Sequence, residues 1–148
     1  CDYEKVCFSL NDDFSLRDIV KRARRLLIPG ITNISQLDIR FHAQFVELPL
    51  PESIDHMHAY FDFEKTGGNI QIRFFQPGDS FIPLGMKGHK KVKSFFIDQK
   101  IPRKKRPFIP ILINGNDDII WIYGERISDS FRVDATTKKV LFIEGKVI

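Results

Sequence analysis

The runs LDIRFHAQFVEL (37–48) and HMHAYFDFE (56–64) carry an apolar residue at every second position. In the first these are Leu37, Ile39, Phe41, Ala43 and Phe45, and in the second Met57, Ala59, Phe61 and Phe63. A period of two puts such residues on one face of an extended chain, so each run predicts a half-buried strand. PLPES between them reads as a loop. Thr66, Gly67, Gly68 and Asn69 then turn the chain into IQIRFF, which predicts a β-hairpin over residues 56–75.

Upstream, KVCFSL predicts an opening strand, and NDDF turns it into SLRDIVKRARRLL. Ser15 and Asp18 make a capping-box-like start there, and Leu16, Ile19, Val20, Ala23 and Leu26 or Leu27 form one helical stripe. Arg17, Lys21, Arg22, Arg24 and Arg25 lie mostly off that stripe, as a solvated face or a secondary anion-binding surface. The IPG tripeptide ends the helix. Downstream, HKKVKSFFIDQ predicts a helix with Val92, Phe95 and Phe96 turned inward, stopped by Pro102. FIPILI, IIWIYG and SFRVDATTKKVLFI predict strands, the first two joined by the turn NGND.

A chain of 148 residues, 43% hydrophobic and 28% charged, reads as a globular protein with a core of its own. No apolar run approaches the ~20 residues of a membrane span. Cys1 and Cys7 are too few for a disulfide framework and match no usual zinc or redox spacing, so a reduced, cytoplasmic setting is expected. The chain opens on Cys and not Met, which predicts a piece of a longer protein.

Residue patterns for bond-making chemistry are weak. His56 and His58 would share one strand face, but no Cys or paired carboxylate with ligand spacing accompanies them, so no metal site is expected. There is no Gly-x-Ser-x-Gly elbow, and Gly67 and Gly68 precede no Gly-Lys-Ser/Thr. Asp12–Asp13 and Asp117–Asp118 lie in turn-like sequence, where acids cap and solvate.

The charge distribution is more informative. Between Met86 and Arg106 stand Lys87, Lys90, Lys91, Lys93, Lys100, Arg103, Lys104, Lys105 and Arg106 against Asp98 alone. That is +8 within a chain of +4, leaving −4 for everything else. A basic helix followed by KIPRKKRP, held between Pro102 and Pro107, could make a rigid cationic surface for phosphates along a nucleic-acid backbone. A solvated charge run and a localisation-like signal are the competing readings.

Residues 73–112, RFFQPGDSFIPLGMKGHKKVKSFFIDQKIPRKKRPFIPIL, resemble the C-terminal domain of tRNA(Ile)-lysidine synthetase. The resemblance is carried by an ordered series: Arg73, Pro77-Gly78-Asp79, Pro83-Leu84-Gly85-Met86, Lys90-Lys91, Phe95 or Phe96, Lys100-Ile101-Pro102, Arg106 and Pro110. It continues less sharply through IIWIYGERISDSFRV to VLFI, and LLIPG looks like the family's lead-in. The organisation it implies is a connecting segment over 1–27 and a tRNA-binding C-terminal domain over 28–148. The implied fold is α+β, a compact β-sandwich-like core with packed helices, related to a domain of phenylalanyl-tRNA synthetase.

That family uses ATP, with Mg, to join lysine to the wobble cytidine of a minor isoleucine tRNA in the bacterial cytoplasm. The chemistry belongs to a domain with a Ser-Gly-Gly-x-Asp-Ser loop, which these 148 residues lack, so the resemblance implies a chain inactive alone and without a cofactor. It implies that the nine basic residues clamp tRNA on its acceptor-stem side, anchored by Val92, Phe95, Phe96, Ile97 and Ile101, while Arg73, Pro77, Gly78, Asp79, Gly85, Pro102 and Pro110 are structural. For Arg106 the motif is equally consistent with a structural contact, to the Asp79 carboxylate or a carbonyl, in place of the clamp role. Expected partners are tRNA, the enzyme's own catalytic domain and, as a possibility, a second copy. The rival readings are a protein-interaction module and a free-standing enzyme.

Overall fold

The computed structural model describes residues 23–51 and 55–148. The expected opening strand and most of the expected first helix lie outside the described residues. Arg24–Arg25, expected to be that helix's last turn, is instead a short strand, β1, and Leu26 beside it is buried in the core. Pairing with a neighbouring strand satisfies these backbone groups, and Leu26 donates its amide to the Ile70 carbonyl at 2.8 Å.

Two antiparallel sheets form the body. The four-stranded sheet comprises β2 (Gly30–Ile34), β3 (Ile39–Val46), β4 (His58–Asp62) and β11 (Val140–Val147) in the order β2-β3-β11-β4. The five-stranded sheet joins β1 to β5 (Gln71–Arg73), β8 (Ile111–Ile113), β9 (Ile119–Ile122) and β10 (Arg126–Ile127) in that order. Ile39, Phe41, Ala43, Ala59 and Phe61 of the first sheet pack against Ile72, Leu112, Ile120 and Trp121 of the second. The alternation read in β3 and β4 is therefore the inner face of a sandwich.

The hairpin expected over 56–75 does not form. β4 pairs with β11, while β5 pairs with β1 and β8. The chain is redirected by a single helical turn, α1 (Phe63–Thr66). The Asp62 carboxylate caps it by accepting the Glu64 and Lys65 amides at 3.0 and 3.3 Å. Gly67, at φ 74°, ends it in a conformation that suits glycine. The strand expected across SFRVDATTKKVLFI begins only at Val140, since residues 129–131 form a 3₁₀ turn.

A third layer lies on the outer face of the five-stranded sheet. It consists of a ribbon of β6 (Ser80–Phe81) and β7 (Lys90–Lys91), followed by the helix α2 (Val92–Asp98). Phe81, Val92, Phe95, Phe96 and Ile101 form a second core with Ile111, Ile113, Ile119 and Ile122. β8 and β9 are thus apolar on both faces, which is why their sequences run as unbroken apolar stretches. The described residues are mostly β, with α-helices of four and seven residues among them.

Candidate nucleic-acid interface

The cationic stretch is fastened to the body at each end and in the middle. At its start, Arg73, only 5% exposed, extends from β5 and meets Asp79 with two donors, each at 2.9 Å. Burial works against the guanidinium charge, and the hydrogen bonds and charges of Asp79 and Asp117 outweigh it, raising the Arg73 pKa. Asp79 also accepts the Gln76 amide at 2.8 Å and closes the turn Gln76–Asp79, in which Gly78 has φ 91°. The Asp79 carbonyl then accepts the Val92 amide at 2.9 Å. One arginine thereby fixes both the turn and the start of α2.

The loop between β6 and β7 is tied to β10 and the turn after it. Leu84 donates to the Ile127 carbonyl at 3.1 Å, and the Gly85 amide donates to the Asp129 carboxylate at 3.1 Å. Within it Leu84 and Met86 are 42% and 41% exposed, apolar side chains presented among cations.

Lys90 and Lys91, expected to be helical, are the strand β7, and Lys91 is the residue that enters α2. Their backbones pair with Phe81 and Ser80 before the helix can start. Lys90 is held in an ion pair with Asp98 across the helix. Val92, Phe95 and Phe96 are buried as expected, whereas Ile97 is 53% exposed. One turn of helix cannot point residues 95, 96 and 97 toward the same neighbour, so Ile97 is not an anchor.

α2 ends in a Schellman motif. The Ile101 amide donates to the Phe96 carbonyl and the Lys100 amide to the Ile97 carbonyl, both at 3.0 Å, with Lys100 left-handed at φ 56°. Ile101 packs back into the second core and Pro102 prevents the helix from resuming. Arg106 Nε donates to the Ile101 carbonyl at 2.9 Å, closing the loop 101–106 on itself. Of the two contacts foreseen for Arg106, the carbonyl is the one made, and Asp79 belongs to Arg73. Pro110 is buried, its carbonyl accepting the Tyr123 amide at 3.0 Å. Pro77 and Pro102 are exposed.

Lys87, Lys91, Lys93, Lys100, Arg103 and Lys104 remain exposed, while Lys90, Lys105 and Arg106 are half-buried. Arg126 joins this layer without having been foreseen, its guanidinium lying 5.8 Å over the Phe95 ring. Nothing local marks it, because Phe95 is distant in the chain.

Beside this layer opens a cavity of about 470 Å³. His56 and His58 are at its edge. The His58 nitrogens lie 3.3 Å from Asp55 and 3.0 Å from Glu144, and His56 Nδ1 is 3.1 Å from the Glu125 carbonyl. Burial lifts the Glu125 carboxyl above its usual range, opposed by the positive charges of His56 and Arg126. Among the described residues no group of three or more His, Cys, Asp or Glu is arranged to hold a metal ion. None of the helices there is long and apolar enough to cross a membrane.

Fold and surface together define a class: an antiparallel two-sheet domain with a cationic layer fastened to one outer face. The family model described as the TilS substrate C-terminal domain matches residues 70–144, and the chain belongs to that family. The tRNA(Ile)-lysidine synthase of Caldanaerobacter subterraneus subsp. tengcongensis is 41% identical over 130 residues, spanning 86% of this chain and 27% of the relative. That of Clostridium tetani is 51% identical over 85 residues, or 57% of this chain and 18% of the relative. The chain thus spans about a quarter or less of these relatives. In fold it is similar to a TilS C-terminal domain crystal structure, with TM-score 0.76 at 20% identity, covering 86% of this chain and 97% of the other. An N-terminal fragment of the phenylalanyl-tRNA synthetase β-subunit from Pyrococcus horikoshii gives TM-score 0.51 at 16% identity, covering 90% and 42%.

Proposed function

We propose that this domain holds tRNA by its phosphate backbone, on the acceptor-stem side, for a tRNA(Ile)-lysidine synthase whose catalytic domain lies outside these 148 residues. That domain would use ATP and Mg to attach lysine to the wobble cytidine of a minor isoleucine tRNA, and this one contributes affinity and orientation. The observation that carries the reading is a division of labour within one segment. Val92, Phe95, Phe96 and Ile101 are buried, while Lys87, Lys91, Lys93, Lys100, Arg103 and Lys104 face solvent on a backbone already fixed by Arg73 and Arg106. A cation on a fixed backbone loses less entropy when it meets a phosphate than one on a mobile loop. Membership of the family and the names of its relatives supply the nucleic acid.

The test is tRNA affinity against salt for the parent and for Lys87→Ala, Lys91→Ala, Lys93→Ala and Arg103→Ala combined. For every phosphate no longer neutralised, the log–log salt slope should become shallower by ~0.7 to 0.9. A combined variant that melts like the parent and binds with the same slope overturns the reading. The exposed Leu84, Met86 and Ile97 favour a second one, in which this face docks on the catalytic domain. Unaltered tRNA binding, together with weakened association between the separately purified domains, would support that alternative.

A further inference from the structure

We propose that the cavity beside the basic layer receives one unpaired nucleobase of the bound RNA, with the Glu125 carboxylate accepting a hydrogen bond from the base's exocyclic amino group. This rests on the RNA-binding reading and adds base discrimination to a contact that otherwise sees only phosphates. At about 470 Å³ the cavity falls within the ~300 to 1,000 Å³ typical of small-molecule sites. Ala59, Trp121 and Ile127 give it an apolar floor, and Glu125, Arg126 and Arg132 stand around that floor. A flat ring with a polar edge matches this composition.

Two residues connect the cavity to the cationic layer. Leu84 lines it and belongs to the loop that leads into Lys87 and Lys90. Arg126 also lines it, and its guanidinium covers the Phe95 ring of α2. An RNA strand held along the layer therefore has the cavity as its immediate neighbour. Glu125 follows Gly124, which has φ 78°, and its amide donates to the Ile122 carbonyl at 3.0 Å, so the residue is held in a tight turn. Its half-buried carboxylate accepts no hydrogen bond from the described residues, and an acceptor partly removed from water gains most from a donor brought by a ligand. Adenine, cytosine and guanine carry an exocyclic amino donor, whereas uracil presents only oxygen acceptors there. Arg126, over the Phe95 ring, and Arg132, 3.3 Å from the Asp129 carboxylate, would place positive charge beside the phosphate of the same nucleotide.

The experiment compares RNA hairpins with identical stems, ended blunt or with a short unpaired 3′ tail of cytidines or uridines, binding to the full 148-residue chain. The cytidine tail should bind about tenfold tighter than the uridine tail, the order expected for one hydrogen bond to a charged group. Glu125→Gln, whose amide can accept from cytosine or donate to uracil, should erase that difference and leave blunt-hairpin affinity unchanged. Leu84→Ala should weaken only the tailed hairpin. Equal affinity for both tails in the parent, with stem binding intact, overturns the nucleobase site and leaves the phosphate clamp standing. Failure of every hairpin to bind overturns the clamp instead. The cavity is then judged by titration with cytidine and uridine monophosphate, read at the Ile127 methyl resonances. A shift with the cytidine nucleotide alone supports the site, and equal shifts or none at millimolar concentration overturn it.

Discussion

Arg73 and Asp79 meet as a two-point fork, Nη1 to Oδ2 and Nη2 to Oδ1, each at 2.9 Å, with the arginine almost wholly buried. Removing the arginine leaves the Asp79 carboxylate, whose side chain is only 11% exposed, without its countercharge. Arg73→Met should therefore cost ~3 to 5 kcal/mol in urea unfolding. Arg73→Lys should recover little, because an ammonium cannot reproduce the fork. A destabilisation below about 1 kcal/mol would mean that the turn at Asp79 holds without the arginine.

Charge and packing should separate cleanly within α2. Phe96→Ala empties a fully buried position and should destabilise by ~3 to 5 kcal/mol, whereas exposed Lys93→Ala should stay within ~0.5 kcal/mol of the parent. Ile97→Ala should behave like the lysine substitution. Thermal melting of the three variants side by side is decisive, and severe destabilisation by Ile97→Ala would contradict its exposure.

Lys100 occupies the left-handed position of the Schellman motif, a conformation costing a residue with a Cβ about 1 to 2 kcal/mol relative to glycine. Lys100→Gly should raise stability by about 1 kcal/mol even though it removes a cation. Lys100→Ala should not. The pair, measured by denaturant midpoint, distinguishes backbone strain from charge repulsion as the cause.

Gly145 on β11 faces the Tyr123 ring so closely that a Cβ there would sit 2.1 Å from Cε1. Tyr123 is itself packed edge-on against Phe41 and Trp121, at 5.1 and 5.4 Å between ring centres. With both sheets committed around that ring, Gly145→Ala should overpack the core and destabilise by ~1 to 3 kcal/mol. A variant melting with the parent would show that the sheets can part at this point.

Asp134 accepts hydrogen bonds from Lys65 at 2.7 Å and from the Thr136 hydroxyl and amide at 2.6 and 2.8 Å. These hold its carboxyl far below the usual 3.8. Because the folded value is depressed, the contribution is fully present above pH 3.8 and is lost as pH falls through the lower folded value. Asp134→Asn should thus melt lower than the parent at about pH 6. The gap should narrow progressively below pH 3.8, and a gap independent of pH would remove the carboxylate from the explanation.

What could be read in the residues follows from how locally each feature is encoded. β3 and β4 were legible because each has one face on the core, which forces alternation at Ile39, Phe41 and Ala43 and again at Ala59 and Phe61. Their true neighbour was not, since a period of two fixes a face and says nothing about which strand lies alongside, and β11 inserts between them from the far end of the chain. The turn motif at Pro77-Gly78-Asp79 and the stop at Pro102 carried their own local chemistry. Lys100 gave no sign of its left-handed backbone, because glycine is the usual marker of such a position. Glu125 with Arg126, Leu84 and Ala59 approach one cavity from three separate parts of the chain, a juxtaposition that exists only once both sheets have formed.

β5 and β8 are hydrogen-bonded neighbours, yet residues 74–110 intervene between them. Topologically the cationic layer is an excursion out of one strand and back into the next, and the order of the sheet does not depend on what it carries. Its underside is constrained by the outward isoleucines of β8 and β9, which would otherwise be bare. Its upper side meets no such demand. A designer could exchange the solvent-facing lysines for other side chains and keep the scaffold, provided Phe81, Val92, Phe95, Phe96 and Ile101 still cover the sheet.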